Sequence, residues 1–347
     1  METLRIATDN PKEDQWKLIG QYAYPTNINR YAKAHKQSPS VETVNYIAGC
    51  IRQSEAYFTA AEAAPFDISP LLLYYGATNL LAGVSALLTG AKSLIEHHGM
   101  YADKTTVAAP MIGDFQIKTS NSSGGALQSF CDVLSTGCVM TTGALWSVKE
   151  ILGSIPDLSQ DYETCYEEPP PHVIPVVIMK AAMHGIQFTH ERIAMTDLEK
   201  YASPQSVIEL IGGLKDAYIT PRYNIPSDSV PLYYKQEAKE TGTYSIFGKK
   251  YLQLVHVKAG KRLNPSQLIL LYMGLYALGY LSRYYPERWN PFVRSDDTGE
   301  RLVIEKFLAI CQRYLPNLAL NQIREARVQF IYETERVVDL TGQDSDS

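Results

Sequence analysis

A chain of 347 residues with 45% hydrophobic and 20% charged residues and a mean hydropathy of −0.17 has the composition of an ordinary globular protein. That excludes a disordered, collagenous or disulfide-scaffold chain. A net charge of −5 and a pI near 5.9 give no global attraction to nucleic acid or to an anionic membrane, so any such binding needs a local patch.

Met1 to Asn10 lacks the apolar run of a signal peptide, and a cytoplasmic location is expected. Residues 1–40 read as an N-terminal extension. From Val41 to Ala64, Val44, Ile47, Ala48, Ile51, Phe58 and Ala61 recur at helical spacing and predict an amphipathic helix. Ser69-Pro70 marks the next start, because a serine can cap a helix whose first turn tolerates proline. This helix is predicted to run towards Glu96 and stop near Gly99. Gly76, Gly83 and Gly90 share one face of it, which suits close approach of another backbone. The uncharged helix from Pro265 to Tyr285, near Gly274 and Ala277, is the expected partner.

Between Val107 and Lys258 the period shortens, and Phe115–Lys118, Val173–Met179, Ile186–Thr189, Ala217–Thr220 and Tyr244–Val257 read as strands. Phe247-Gly248-Lys249-Lys250 looks like a hairpin turn that projects its lysines. Helical patterns near Ser147–Gly153 and after Ser203-Pro204 interrupt the strands, and Pro169-Pro170-Pro171 marks a loop. Asn264-Pro265 then opens a helix to Tyr285, and another covers Glu300 to Tyr314. Leu71–Ala91 and Leu263–Ser282 are long uncharged stretches, but their asparagines, serines, threonines and tyrosines suit helices buried against protein.

The predicted fold is therefore α+β, mainly α: a helical bundle from residues 41–106 and 263–330, an inserted mixed, β-rich segment at 107–262, and a tail at 331–347. Cys50, Cys131, Cys138, Cys165 and Cys311 form no C-x-x-C pair and read as reduced, mostly buried thiols.

Catalytic motifs are incomplete. Gly90-Ala91-Lys92-Ser93 lacks the P-loop spacing, and Asp114 with Gln116-x-Lys118 lacks the second acid of a metal-dependent nuclease. His184 and His190-Glu191 lack the H-E-x-x-H spacing, and Ser122-Ser123-Gly124-Gly125 has no sequence-linked base. No metal and no cofactor are expected. Arg30 and His35 have the R-x4-H spacing of metal-independent ribonucleases, in which arginine holds phosphate and histidine moves a proton. Lys249, Lys250, Lys258, Lys261 and Arg262, interleaved with Tyr251, form an acid-free basic stretch suited to nucleic acid or a phosphorylated ligand. Docking on the acidic Asp157, Asp161, Glu163, Glu167 and Glu168 loop is the competing explanation. The 24 tyrosines read mainly as a hydrogen-bonded core.

Ala56-Tyr57-Phe58-Thr59-Ala60-Ala61, Pro70 through Leu80 and His98-Gly99-Met100 resemble the opening of YaaC-like bacterial proteins. Ile155-Pro156-Asp157-Leu158, Tyr280 through Trp289 and Tyr314-Leu315-Pro316-Asn317 resemble later blocks of that family in the same order, covering roughly residues 45 to 330. The resemblance implies an HEPN-like helical core, in a class that spans ribonucleases and inert binding subunits of bacterial defence systems. The chain departs from the nuclease pattern by carrying no R-x4–6-H on its core helices. The expected function is a non-catalytic binding or assembly module contacting RNA, nucleotide, a protein partner or a second copy, with no membrane involved. A metal-independent ribonuclease is the alternative, and it would use His98 and Arg283 or Arg30 and His35. Arg283 is expected to be a buried structural clamp unless it shares an open cleft with His98.

Overall fold

A computed structural model of the protein describes residues 2–135, 137–183, 186–194, 218–219, 229–233 and 243–331. Strand β1 (Glu2–Ala7) leads into α1 (Pro11–Gly20) and α2 (Pro25–Ala34). Asn10 caps α1 through its side chain, and prolines open both helices where a missing N–H costs nothing. Residues 1–40 are thus no loose extension. Trp16, Ile19 and Ile28 enter the core.

Helix α3 (Val41–Ala63) starts where Ser40 Oγ accepts the Thr43 N–H at 3.1 Å and buries the predicted stripe. Helix α4 (Ser69–Thr89) is shorter than predicted, because Gly90 adopts φ +70° and ends it with an N–H bond to the Ala86 carbonyl. The glycine face packs on α3, not on the Pro265–Tyr285 segment. A Cβ at Gly76 would meet Phe58 at 2.8 Å, and one at Gly83 would meet Cys50 at 2.9 Å. The short 64–68 connection makes α3 and α4 neighbours. This leaves the opposite face of α4 for the later helix.

Strands β2 (Met100–Ala102), β3 (Gln116–Thr119) and β4 (Leu145–Ser147) form an antiparallel sheet around α5 (Ala126–Leu134). Then come α6 (Val148–Leu152), α7 (Ser159–Tyr166) and β5 (Val173–Pro175). Strands β6 (Val177–Met183), β7 (Ile186–Ala194), β8 (Tyr218–Ile219) and β9 (Ser229–Tyr233) pair in the order β6-β7-β9-β8. His184 and the predicted helix after Pro204 lie outside the described residues, and so do the side chains of His190 and Glu191.

The predicted hairpin is β10 (Thr243–Tyr244) with β11 (Lys250–Gln253), and β5 pairs on the far side of β11. A second hairpin that the sequence reading missed, β12 (His256–Lys258) with β13 (Lys261–Leu263), turns through Ala259 and Gly260, both at positive φ.

Helix α8 (Gln267–Tyr284), α9 (Pro286–Ser295) and α10 (Glu300–Arg324) complete the bundle, with α10 continuing ten residues past the predicted end at Tyr314. Gly274 of α8 faces Phe307 of α10, while Gly279 brings α8 against the Leu71 backbone of α4. Buried Glu300 anchors α10 by accepting the Ile112 and Gly113 N–H groups at 2.6 and 2.7 Å and the Tyr166 hydroxyl at 2.7 Å. Strand β14 (Ala326–Ile331) then pairs in parallel with β1, from Glu2 opposite Ala326 to Ala7 opposite Ile331. The chain is α+β and mainly helical, with small sheets. Ser69–Thr89 is long and apolar enough to cross a membrane, but 67% of its apolar window is buried inside the protein.

Candidate ligand pocket at the α4–α8 contact

Near the N-terminal end of α4, Leu71, Tyr74 and Tyr75 share a face by helical spacing. Near the C-terminal end of α8, Tyr276, Gly279, Tyr280, Arg283 and Tyr284 do the same. A Cβ at Gly279 would lie 3.4 Å from Leu71 Cα and the Pro70 carbonyl, so this glycine lets the two faces meet. His98 completes the ring. The segment after α4 is held by a bridge between His97 and Gly125, and the His97 and His98 carbonyls accept the first N–H groups of α5 at 2.9 and 3.1 Å. Together these residues enclose a cavity of about 240 Å³.

Arg283 donates from Nη1 to the Tyr75 hydroxyl, and its guanidinium carbon lies 4.9 Å from the centre of the Tyr284 ring. It is exposed, and no acidic side chain lines the cavity among the described residues. The expected structural clamp on a carboxylate is therefore corrected. The two-helix contact leaves the guanidinium in an open cleft with His98.

The Tyr74 hydroxyl sits 2.6 Å from His98 Nδ1 and 3.3 Å from the hydroxyl of fully buried Tyr272. Burial raises both phenols far above their ordinary pKa and keeps them protonated. Every hydroxyl hydrogen is used if Tyr272 donates to Tyr74 and Tyr74 donates to Nδ1, an assignment made from the network. Burial, then His97 and Arg283, push the imidazole below its usual pKa, so it is neutral at pH 7. The proton then resides on Nε2, and the cavity lining carries a guanidinium, an imidazole N–H and phenolic hydroxyls, with no carboxylate among the described residues. That set complements an anion, and the tyrosine rings offer faces on which a planar group can stack.

The other sequence candidates do not converge in this way. Arg30 is exposed on α2 and bonds Asn27, whereas His35 caps that helix, stacks on Tyr31 at 3.9 Å and faces Glu325. In the basic stretch, Lys249, Lys261 and Arg262 are exposed, but Lys250 and Tyr251 are buried because β11 is the central strand of its sheet. Lys258 is bound to Glu150 and lies over the Trp146 ring. The expected projection of the whole basic hairpin thus fails at Lys250.

Of the acidic residues, Asp157 accepts the Ile246 N–H of the hairpin at 3.0 and 3.1 Å, whereas Asp161 pairs with Lys306 and Glu168 with Lys149, both outside the basic stretch. Tyr74, Tyr272 and Tyr276 are core residues as expected, while Tyr276, Tyr280 and Tyr284, which recur every fourth residue, also line the pocket.

No curated protein and no solved structure matches this chain. The family described as YaaC-like Protein matches residues 17–323, which include every residue of the pocket. The chain belongs to the YaaC-like family.

Proposed function

We propose that this YaaC-like chain is a non-catalytic binding module whose α4–α8 pocket takes a phosphorylated aromatic ligand, a nucleotide or a terminal nucleotide of RNA. The observation that carries this reading is a cleft lined by donors and aromatic faces with no acidic side chain among the described residues. Arg283 would meet the phosphate with charge-assisted hydrogen bonds, His98 Nε2 would add one, and a base would stack against tyrosine. The HEPN-like reading of the bundle belongs to the same proposal. Its support is that α3, α4, α8 and α10 pack around one core, with Arg283 in the last turn of α8 and His98 on the segment that follows α4.

A second reading, metal-independent RNA cleavage, is favoured by His98 and Arg283 sharing an accessible cleft. The tautomer weighs against it. A base acting on a 2′-hydroxyl needs a free imidazole lone pair in the cleft, whereas Tyr74 occupies Nδ1 and leaves Nε2 protonated.

Calorimetric titration with adenosine monophosphate and with adenosine tests the binding reading. The nucleotide should bind about tenfold or more tightly, the worth of one charge-assisted hydrogen bond. Equal affinities, or no binding of either, would overturn it. RNA cleavage in chelator by the wild type, lost in His98→Ala, would establish the second reading in its place.

A further inference from the structure

A second polar site lies away from the tyrosine pocket, where three separate stretches of chain converge. Glu150 stands on α6, His172 precedes β5, and His256 opens β12. Glu150 Oε1 accepts from His256 Nδ1 at 2.9 Å and lies 3.6 Å from His172 Nε2. One ligand atom from each residue falls within 4.8 Å of the other two. A tetrahedral zinc ion with bonds of about 2.0–2.1 Å has ligand–ligand edges of about 3.3 Å, between those two separations.

The surroundings aim the carboxylate. Lys258 Nζ holds the other oxygen, Oε2, at 2.5 Å and lies 4.7 Å from the centre of the Trp146 ring, which leaves Oε1 directed at both imidazoles. On the far side of His256, Nε2 is 3.4 Å from Ser154 Oγ, which donates to the Glu150 carbonyl at 2.7 Å. These are the outer contacts that orient metal ligands. The imidazoles stack at 3.7 Å with a 28° tilt, so joint ligation requires the partly exposed His172 ring to turn until both nitrogens aim at one point. His172 Nδ1 is buried with no hydrogen-bond partner among the described residues. His256 is fully buried, whereas the Glu150 and His172 side chains keep 19% and 16% exposure, so the cluster is partly open to solvent.

We propose that Glu150, His172 and His256 form a binding site for a divalent transition metal of the zinc type, with its fourth position left to a ligand from outside the triad. Two imidazoles and one carboxylate suit zinc better than magnesium or calcium, which prefer oxygen donors. No sequence spacing announces this site. It is independent of the nucleotide reading.

The test is equilibrium dialysis of the full chain against micromolar Zn²⁺ with metal analysis, alongside Co²⁺ absorption spectra and thermal melts. The wild type should retain one equivalent, show the visible bands of a tetrahedral cobalt–nitrogen site and melt at higher temperature with Zn²⁺. His172→Ala, whose folding is verified by circular dichroism, should lose the equivalent, the bands and the shift. His98→Ala should keep all three. Absence of retained zinc in the wild type, or retention of a full equivalent by folded His172→Ala, would overturn the assignment.

Discussion

The tyrosine pocket and the Glu150 cluster treat charge in opposite ways. In the pocket, the Arg283 cation meets only neutral rings and hydroxyls. At the cluster, burial alone would raise the Glu150 carboxyl, but His172, His256 and Lys258 hold it well below the usual carboxylate range. Burial pushes His256 down to about 4 against the pull of that same carboxylate. The carboxylate of the cluster is therefore paired within the protein, while the cation of the pocket has no carboxylate partner among the described residues. Removing a charge should cost more stability at the cluster than at the pocket.

The largest effect that could break this comparison is on folding. Lys258→Met strips a mostly buried carboxylate of its ammonium partner and should destabilise the protein by about 3 kcal/mol. Arg283→Met, at an exposed cation without a carboxylate partner among the described residues, should cost under about 1 kcal/mol. Chemical denaturation of both variants checks this, and equal losses would remove the distinction.

Next in size, Gly279→Leu forces a side chain into the α4–α8 contact, costs about 1–3 kcal/mol and abolishes nucleotide binding while zinc uptake persists. Calorimetry and metal analysis on one preparation report both.

A smaller effect follows pH. The free His98 imidazole has its pKa below 6.5, so an anion that favours its protonated form must bind more tightly as pH falls through that range. A dinucleotide, whose phosphodiester does not titrate there, should gain affinity from pH 7.5 to pH 5.5. His98→Ala should flatten the dependence.

The smallest change should come from the basic stretch. Lys249→Glu with Lys261→Glu alters exposed charges remote from the pocket lining and should weaken RNA retention less than Arg283→Ala does, as read by gel shift at two salt concentrations.

Much of the bundle was legible because its signals are local. The Val44–Ala61 stripe announced α3, Pro70 marked the first turn of α4 and Pro265 the approach to α8. The glycines of α4 spoke truly of close approach but could not name the partner. A helix buried on several sides has two candidates, and loop length decided for α3. Asn10 before Pro11 caps α1, whereas the similar Asn264-Pro265 precedes Ser266 at the N-cap of α8; the charged α1 carries little apolar pattern to announce a helix.

The parallel pairing of β1 with β14 joins the two ends of the chain and leaves no trace in either segment alone. Of the candidate sites, His98 and Arg283 were readable as residues at the ends of matched helical blocks. Their tyrosine surroundings required knowing which faces of α4 and α8 meet. Glu150, His172 and His256 share no spacing, and only the tertiary fold brings them together.

The account rests on the pocket recognising a phosphate through Arg283. The most direct measurement is the ratio of nucleotide to nucleoside affinity in the wild type and in Arg283→Ala, titrated in the same buffer at fixed ionic strength. The account predicts a ratio of about ten or more that falls to near one in the variant, with nucleoside affinity little changed. A ratio that survives the loss of Arg283 would contradict it.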